Sequence, residues 1–386
     1  MSKKTICLNM IVKDETPVIE RCLATVKDVI DYYIICDTGS TDGTQELIKK
    51  IMEGYGVPGE VVEVPWVNFH HNRNEALDLV KANENFDYAL FIDADEMLHY
   101  DNVDSIRNAT GDMHCLDKSY GPLRYKIPFM VNVKTKNWKW NGAVHEYIAP
   151  EDLPITQSAC GHACWILATP GEGVRSRGIS QEEKFLKDAE LLLEEHEKNP
   201  DDMRTVFYLA QSYRDAGPAY RDKAIEWYSK RADEEGWPEE KFYAQYQKGK
   251  LMLYSDAFTF DEAKVELLKA CELRPPRAAE ALYDLVRYQR TNKEFSSGCF
   301  YGMSAMSFMA YPALDTLFID KLVYDWKLKD ELCVCLHYVG QFEFAAKLLD
   351  GLIRRQDLPP IIRQRAVINM GLALEKIPKL VGLGTQ

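Results

Sequence analysis

Short apolar runs alternate with amphipathic segments up to about residue 155 of the chain. The apolar runs predict strands, and the segments between the first four of them carry polar and apolar residues at helical spacing. The strands are expected at 5–12, 32–36, 61–64, 88–92, 124–131 and 143–148, and the helices at 18–26, 44–52 and 74–80. Strands that alternate with helices indicate βαβ units joined by right-handed crossovers. The pattern therefore predicts an α/β domain with a mostly parallel central sheet.

From about residue 180 the pattern becomes helical throughout. Small residues recur in pairs at similar spacing, namely Ala210 with Ala224, Gly249 with Ala263, and Cys333 with Ala345. A small residue on each helix of a hairpin lets the two helices pack closely, as in tetratricopeptide units. We therefore predict about four helical hairpins in an all-α repeat domain. The expected domains are 1–178, which carries the sheet, and 179–386, which carries the repeats.

Composition excludes several classes of protein. A net charge of −13 over 386 residues argues against a protein that binds the phosphate backbone of a nucleic acid. No apolar run approaches the roughly 20 residues that a membrane-spanning helix needs. Ten cysteines are scattered without a disulfide pattern, which favours a reducing compartment, and we expect the cytoplasm. Cys160 and Cys164 lack the second ligand pair of a zinc site.

The strongest candidate for chemistry is the run from Phe91 to Glu96, Phe-Ile-Asp-Ala-Asp-Glu. Asp93 and Asp95 follow the predicted strand 88–92, and residues two apart on a strand point to the same face. Ligands of open α/β sheets bind beyond the carboxyl ends of the strands. Two carboxylates at that place are suited to hold a divalent metal, manganese or magnesium, against phosphate oxygens. The alternative is that they only end the strand in solvent.

Further blocks surround this run in a characteristic order. They are Asn9-Met-Ile-Val-Lys-Asp-Glu15, Cys36-Asp-Thr-Gly-Ser-Thr-Asp-Gly-Thr44, Asn72-Arg-Asn-Glu-Ala-Leu77 and Trp140-Asn-Gly-Ala-Val-His-Glu146. Together they resemble glycosyltransferase family 2, the inverting transferases of the A-type fold. In the second half, Tyr208–Gly217, Arg277–Leu282 and Val323–Leu328 resemble the tail of tetratricopeptide-containing members. The resemblance implies a nucleotide-diphospho sugar donor, which we expect to be UDP-linked.

The resemblance also implies roles for particular residues. Asp95 is expected to bind the metal directly, and Asp93 to hold the ribose or orient a water on the metal. Relatives place a carboxylate at the position of Asp37 against the base of the nucleotide. Many members carry a second aspartate next to it, where this chain has Thr38. The family's arginine at the position of Arg73 contacts the nucleotide, and here we expect it at the start of a helix.

Inversion in one displacement requires a base that takes the proton of the acceptor. Glu146 is the candidate base, and His145 is a candidate third metal ligand or phosphate contact. Neighbours on a strand point to opposite faces, so both serve one site only if the strand ends or bends there. Glu96 is a second candidate for contact with the acceptor. Arg175 is a candidate to close over the pyrophosphate, although its segment also fits a linker between domains.

Two functions of different classes remain open. The first is a metal-dependent glycosyltransferase whose helical repeats bind a protein or peptide acceptor, pair two chains as a homodimer, or dock another partner. The second is a catalytically inactive transferase-like scaffold that binds partners through its repeats. A nucleotidyltransferase is disfavoured, since it needs a glycine-rich and basic loop after the first strand, where this chain has Met10-Ile-Val-Lys-Asp-Glu15.

Overall fold

The chain forms two compact units, residues 1–200 and 201–386. The structure is a computed structural model that describes residues 4–120, 123–142, 144–159, 164–169, 171–174 and 177–377. The division between the two units falls at residue 200, after the helix Gln181–Lys198. The change in sequence pattern near residue 180 places this helix in the second domain instead. The predicted boundary at residue 178 stays a prediction.

The first unit is built on a mixed sheet of nine strands with the order β3-β2-β1-β4-β7-β6-β11-β5, and β10 pairs with β6. The strands are β1 Ile6–Val12, β2 Tyr32–Asp37, β3 Gly59–Glu63, β4 Tyr88–Phe91, β5 Glu96–Tyr100, β6 Met113–Tyr120, β7 Leu123–Asn132, β10 Gln157–Ala159 and β11 Cys164–Ala168. A separate hairpin pairs β8 Trp138–Asn141 with β9 Tyr147–Pro150. The helices of this unit are α1 Ile19–Val26, α2 Thr44–Tyr55, α3 Phe69–Lys81, α4 Asp104–Arg107 and α5 Gln181–Lys198.

Strands β1 to β4 are parallel to one another, β4 is antiparallel to its other neighbour β7, and apolar cores cover both faces of the sheet. In β1, Leu8 belongs to the core on one face and Cys7 to the core on the other. Burial on both faces explains why this strand is an unbroken apolar run rather than an alternating one. The mostly parallel α/β sheet expected from the sequence is confirmed.

The turn after β2 is fixed by glycines and by Asp42. Gly39 and Gly43 have φ of 105° and 89°, a conformation that costs residues with a side chain more than it costs glycine. Gly43 is the N-cap residue of α2, and the Asp42 side chain accepts hydrogen bonds from Thr44 and Thr16. Asp42 thus accepts a hydrogen bond from the first residue of α2, the Thr44 N–H, from one position before the cap residue.

Two expectations about strand ends are wrong. Strand β4 ends at Phe91, and a turn with a hydrogen bond from the Glu96 N–H to the Asp93 carbonyl (3.0 Å) follows it. Asp93 and Asp95 therefore lie in a turn and not on one face of a strand. The predicted strand 143–148 begins only at Tyr147, because His145 adopts φ of 57°, outside the range of extended backbone.

The second unit is a stack of helical hairpins. Its helices are α6 Met203–Ala216, α7 Arg221–Asp233, α8 Pro238–Met252, α9 Phe260–Leu273, α10 Ala278–Thr291, α11 Phe295–Ala305, α12 Leu328–Tyr338, α13 Phe342–Ile353 and α14 Pro360–Lys376. Four successive pairs from α6 to α13 form hairpins, and α14 follows the last pair. This is the all-α repeat expected from the sequence.

The small residues that predicted these hairpins lie at their helix contacts. Ala210, Ala224 and Ala263 are fully buried. A Cβ atom on Gly249 would lie 2.8 Å from the Cγ atom of Leu267 on the opposite helix. The spacing of small residues therefore marked real close approaches. Among the described residues, no helix has the length and apolar character required to span a membrane.

Candidate active site

Arg73 on α3 joins two acidic residues that are far from it in the sequence. Its guanidinium Nη2 lies 2.7 Å from Oδ1 of Asp93, and its Nε lies 3.8 Å from Oε2 of Glu146. Burial opposes the charge on Arg73, but the two carboxylates outweigh it and raise the pKa of the guanidinium. Three of the blocks that carried the family resemblance therefore meet at one place.

Helix α3 is positioned for this contact by its own polar residues. The helix begins at Phe69, with Asn68 as a side-chain cap that accepts from the His71 N–H, so it starts earlier than expected and Arg73 lies inside it. The Asn74 side chain exchanges two hydrogen bonds with the backbone of Trp140, at 2.8 and 2.9 Å. The Arg73 guanidinium lies over the Trp140 ring, 5.1 Å from its centroid. These contacts fix the arginine against hairpin β8–β9.

Glu96 closes the turn that carries Asp93 and Asp95. Its Oε2 accepts from the Asp93 N–H at 3.0 Å, and its Oε1 forms an ion pair with Lys118 of β6. Glu96 is 3% exposed, and it is therefore held inside the protein as part of this turn. Lys118 was not among the residues that the sequence singled out.

Two carboxyl groups of this turn, those of Asp95 and Glu96, have raised pKa values. Burial, and then the charge of Asp93, raise the pKa of Asp95 above its ordinary value. Burial and Asp93 likewise raise the pKa of Glu96, although the Lys118 ammonium acts in the opposite direction. Crowded, partly buried carboxyls gain stability from a nearby cation. Asp95 forms no ion pair with any side chain in the described part of the chain.

Asp37 ends β2 and is fully buried. Its Oδ1 accepts from the N–H groups of Gly39 and Ser40 and from the Gln45 side chain, at 2.8–3.0 Å. Its Oδ2 is buried without a hydrogen-bond partner among the described residues. The Thr38 hydroxyl is already engaged, since it donates to the Val12 carbonyl at 3.1 Å. A buried acceptor with no donor fits a ligand that brings an N–H group.

A segment that follows β11 lies against the turn formed by residues 93–96, called the acidic turn below. A Cβ on Gly173 would lie 2.7 Å from Oδ2 of Asp95. Glu15, which the sequence did not single out for a role of its own, accepts from the Val174 N–H at 3.2 Å and pairs with Arg177 at 3.2 Å. Arg175 of the same segment lies outside the described residues, as does most of the stretch from Cys160 to Cys164.

His145 is exposed in the loop before β9, one residue from Glu146. Its positive φ supplies the bend that both residues require if they are to serve one site. Within the described ranges, no three His, Cys, Asp or Glu side chains are arranged to hold a metal ion. The structure thus brings together Arg73, Asp93 and Glu146, and it does not join His145 to the aspartates as a set of ligands.

The mostly parallel sheet and the helices between its first strands form the A-type fold of glycosyltransferases. Residues 7–115 match the family model "Glycosyl transferase family 2". The first unit therefore carries a glycosyl transferase family 2 domain.

One curated relative is a TPR repeat-containing protein of Synechococcus elongatus, 35% identical over 99 residues. The alignment covers 25% of this chain and 22% of the relative, so the chain spans about a fifth of the length of that protein. The relative's name agrees with the helical repeats of the second unit.

Solved structures show weaker similarity. Staphylococcus aureus TarS (residues 1–349 in complex with UDP) is 12% identical, with a TM-score of 0.30, over 87% of this chain and 92% of that chain. MamA is 17% identical, with a TM-score of 0.32, over 50% of this chain and 90% of that chain. These low TM-scores carry no argument about the fold. The assignment of the fold rests on the strand order and the helical hairpins described above.

Proposed function

We propose that this protein is a metal-dependent inverting glycosyltransferase that moves a sugar from a nucleotide-diphospho sugar to an acceptor molecule. The observation that carries the proposal is the contact of Arg73 with both Asp93 and Glu146. It joins the candidate donor-binding residues to the candidate base. The match of residues 7–115 to the glycosyltransferase family supports the same conclusion.

The donor nucleotide is proposed to bind along the ends of β2 and β4. Asp37 would accept an N–H of the base through Oδ2, the buried oxygen without a hydrogen-bond partner among the described residues. A uracil base carries such an N–H, so this oxygen is compatible with the UDP-linked donor expected from the family resemblance. Thr38 would contribute only as an acceptor, because its proton is directed at Val12. Arg73 would pair with the diphosphate as well as with Asp93.

The acidic turn fits a divalent metal in charge and in ligand type. Asp95 is the proposed direct ligand, and Asp93 the proposed contact to the ribose or to a water on the metal. Manganese or magnesium needs only one or two carboxylates when phosphate oxygens complete its shell. When bound, the metal would act as a Lewis acid that neutralises charge on the leaving diphosphate. His145 stays a proposed third ligand or phosphate contact.

Glu146 is the proposed base. It would take the proton of the acceptor while the acceptor atom bonds to the anomeric carbon and the bond from that carbon to the diphosphate oxygen breaks. The nucleotide diphosphate would leave on the opposite face, with inversion. Glu96 is the second candidate for contact with the acceptor, although its hydrogen bond to Asp93 and its ion pair with Lys118 already engage it. Arg175 stays a proposed cover for the diphosphate.

The helical unit is proposed to bind the acceptor or a partner, or to pair two chains. Extended faces of stacked helical hairpins are commonly used in this way. The alternative of an inactive scaffold is not favoured, because the first unit belongs to a transferase family and retains every acidic residue that the mechanism requires. A cytoplasmic location, expected from the cysteines, stays a prediction.

The test is release of free nucleotide from a panel of nucleotide sugars with Mn²⁺, without acceptor. We expect slow hydrolysis of one donor, lost on addition of a chelator and reduced at least about 100-fold in Asp95→Asn, within the range for an electrostatic group at a reaction centre. Asp101→Asn, at an exposed position just after β5, is the matched control. No binding of any donor by the wild type would overturn the proposal. Binding without release would require the same assay with acceptors.

A further inference from the structure

Lys118 is a largely buried basic residue near the acidic turn. Its side chain is 17% exposed, and it lies on β6, between β7 and β11 in the sheet. Backbone pairing places it opposite Tyr125 on one side and Ile166 on the other. With strands on both sides, the Lys118 side chain cannot extend its ammonium group into water as the side chain of a surface lysine does. Its burial therefore requires a partner, and Glu96 provides one.

The ion pair bridges three strands. Glu96 begins β5 and pairs with Ala168 of β11, and β11 in turn pairs with β6. The Lys118 ammonium thus reaches across β11 to the carboxylate of Glu96. The other oxygen of that carboxylate accepts from the Asp93 N–H, and the Glu96 N–H donates to the Asp93 carbonyl, both at 3.0 Å. The turn is therefore anchored to the sheet through Glu96.

Charge explains why a cation is required here. Asp93, Asp95 and Glu96 lie within four residues of one another in the sequence, and like charges that are held close together repel each other. Arg73 pairs with Asp93, and Lys118 pairs with Glu96. The Lys118 ammonium also interacts electrostatically with Asp93 and Asp95. This arrangement engages two of the three carboxylates in ion pairs and keeps Asp95 for a ligand.

We infer that Lys118 is a positioning residue of the transferase site: through Glu96 it holds the 93–96 turn in the conformation that binds the metal–nucleotide. The inference rests on the proposed function. Lys118 itself does not touch the donor in this mechanism. Its loss would leave the buried Glu96 charge without its partner, and the turn would move toward solvent or bind another cation.

The test is calorimetric titration of the full chain with UDP and Mn²⁺. We expect Lys118→Met to weaken binding by about 10- to 100-fold, the usual effect of removing a residue that orients a metal ligand. Lys118→Arg keeps the positive charge that pairs with Glu96, although the guanidinium differs in shape from the ammonium. Its affinity for UDP and Mn²⁺ should therefore stay within about threefold of the wild-type value. Lys126→Met, on the exposed face of the neighbouring strand β7, should not change binding.

A second substitution separates positioning from a general loss of structure. Glu96→Gln keeps an oxygen for the Asp93 N–H but needs no cation, so Lys118→Met combined with Glu96→Gln should bind more tightly than Lys118→Met alone. Independent effects would instead add. If Lys118→Met does not fold, the double variant and Lys118→Arg make the same comparison.

Two results overturn the inference while leaving the proposed function intact. One is Lys118→Met that binds UDP and Mn²⁺ as Lys126→Met does. The other is a double variant whose loss equals the sum of the two single losses. Failure of the wild type to bind any manganese nucleotide overturns the proposed function itself, and the role of Lys118 falls with it.

Discussion

At the scale of single residues, the two oxygens of the Asp37 carboxylate have different surroundings. Oδ1 accepts from two N–H groups and from Gln45, whereas Oδ2 is buried with no hydrogen-bond partner in the described part of the chain. Asp37→Asn would keep the first set of bonds and place an amide donor at the second position. We expect this variant to bind UDP with Mn²⁺ about tenfold more weakly or worse, because a donor would face the N–H of the base.

Asp42 in the same loop is the matched control for that variant. Both of its oxygens already accept from Thr16 and Thr44. Asp42→Asn should therefore lower the melting temperature without a change in UDP affinity. Calorimetry and thermal melting on both variants decide the matter. If Asp37→Asn binds UDP as tightly as the wild type, the base is recognised elsewhere.

The sequence located most of the residues of this site and missed one that supports them. Arg73, Asp93 and Glu146 come from motifs that gave each a separate role, and the ion pairs of Arg73 with the two carboxylates were not predicted. Lys118 lies in no motif. Its role depends on the register of β6, β11 and β5, which places a lysine of one strand beside a glutamate two strands away. Register of this kind is decided by packing of the whole sheet.

At the scale of secondary-structure elements, the hairpin α8–α9 depends on the absence of a side chain at Gly249. A Cβ there would lie 2.8 Å from Cγ and 2.9 Å from the backbone nitrogen of Leu267. Gly249→Ala should therefore push the two helices apart and lower the free energy of unfolding of this unit by about 1–3 kcal/mol. Hydrogen exchange of the α8 and α9 peptides measures the loss.

Gly371 provides the opposite case on α14. Nothing lies within 4 Å of a Cβ built there. Gly371→Ala should stabilise its helix by about 0.5–1 kcal/mol, since alanine loses less backbone freedom than glycine on folding. For the Gly249→Ala variant, the contradicting result is hydrogen-exchange protection of α8 equal to that of the wild type. It would show that the hairpin tolerates the methyl group.

The same hairpin carries a pH-dependent contact. Glu266 on α9 accepts from Gln245 and pairs with Lys248 and Lys269, each at 2.8 Å. Burial opposes the Glu266 charge, but these partners outweigh it and lower its pKa from 4.5 to about 2. A carboxyl with a lowered pKa in the folded state stabilises the protein above its unfolded pKa and loses that effect as the pH falls.

Glu266→Gln should therefore destabilise the hairpin at pH 7 by about 1–2 kcal/mol, the scale of hydrogen bonds to a charged group. The difference from wild type should shrink below pH 4.5 and vanish only below about pH 2, where wild-type Glu266 is mostly protonated in the folded state too. Glu272→Gln, exposed on the same helix, should show no such dependence. A difference that is constant from pH 7 to pH 3 would assign the effect to packing instead of charge.

Elements with a strong apolar pattern were predicted well, and those with mixed patterns were not. Strands β1, β2 and β4 were expected within one residue of their ends, because burial on both faces gives them mostly apolar runs. The partly exposed β3, Gly-Glu-Val-Val-Glu, was expected only within about two residues. Strand β6 was missed, since it carries Asp117 and Lys118 beside the buried Leu116. The strand expected at 143–148 begins only at Tyr147, because Val144 and His145 form a bend that composition does not reveal.

At the scale of the whole molecule, the extent of the catalytic unit can be tested by truncation. The sequence placed the boundary at residue 178, whereas the compact unit extends to residue 200 and includes α5. Helix α5 buries Ala189 and Leu192, and its Glu195 interacts electrostatically with His70 of α3. Helix α3 also carries Arg73. Removal of α5 should therefore expose apolar surface and loosen the helix that holds the arginine.

We expect fragment 1–200 to fold and to bind UDP with Mn²⁺ within about threefold of the full chain, because binding to a compact unit does not require distant contacts. Fragment 1–178 should melt at a lower temperature and bind more weakly. Thermal melting and calorimetry on both fragments measure this, with Leu192→Ala in the full chain as an independent probe of α5 packing. Equal stability and affinity of the two fragments would return the boundary to residue 178 and assign α5 to the repeats. Weak binding by both would instead show that donor binding requires residues beyond 200.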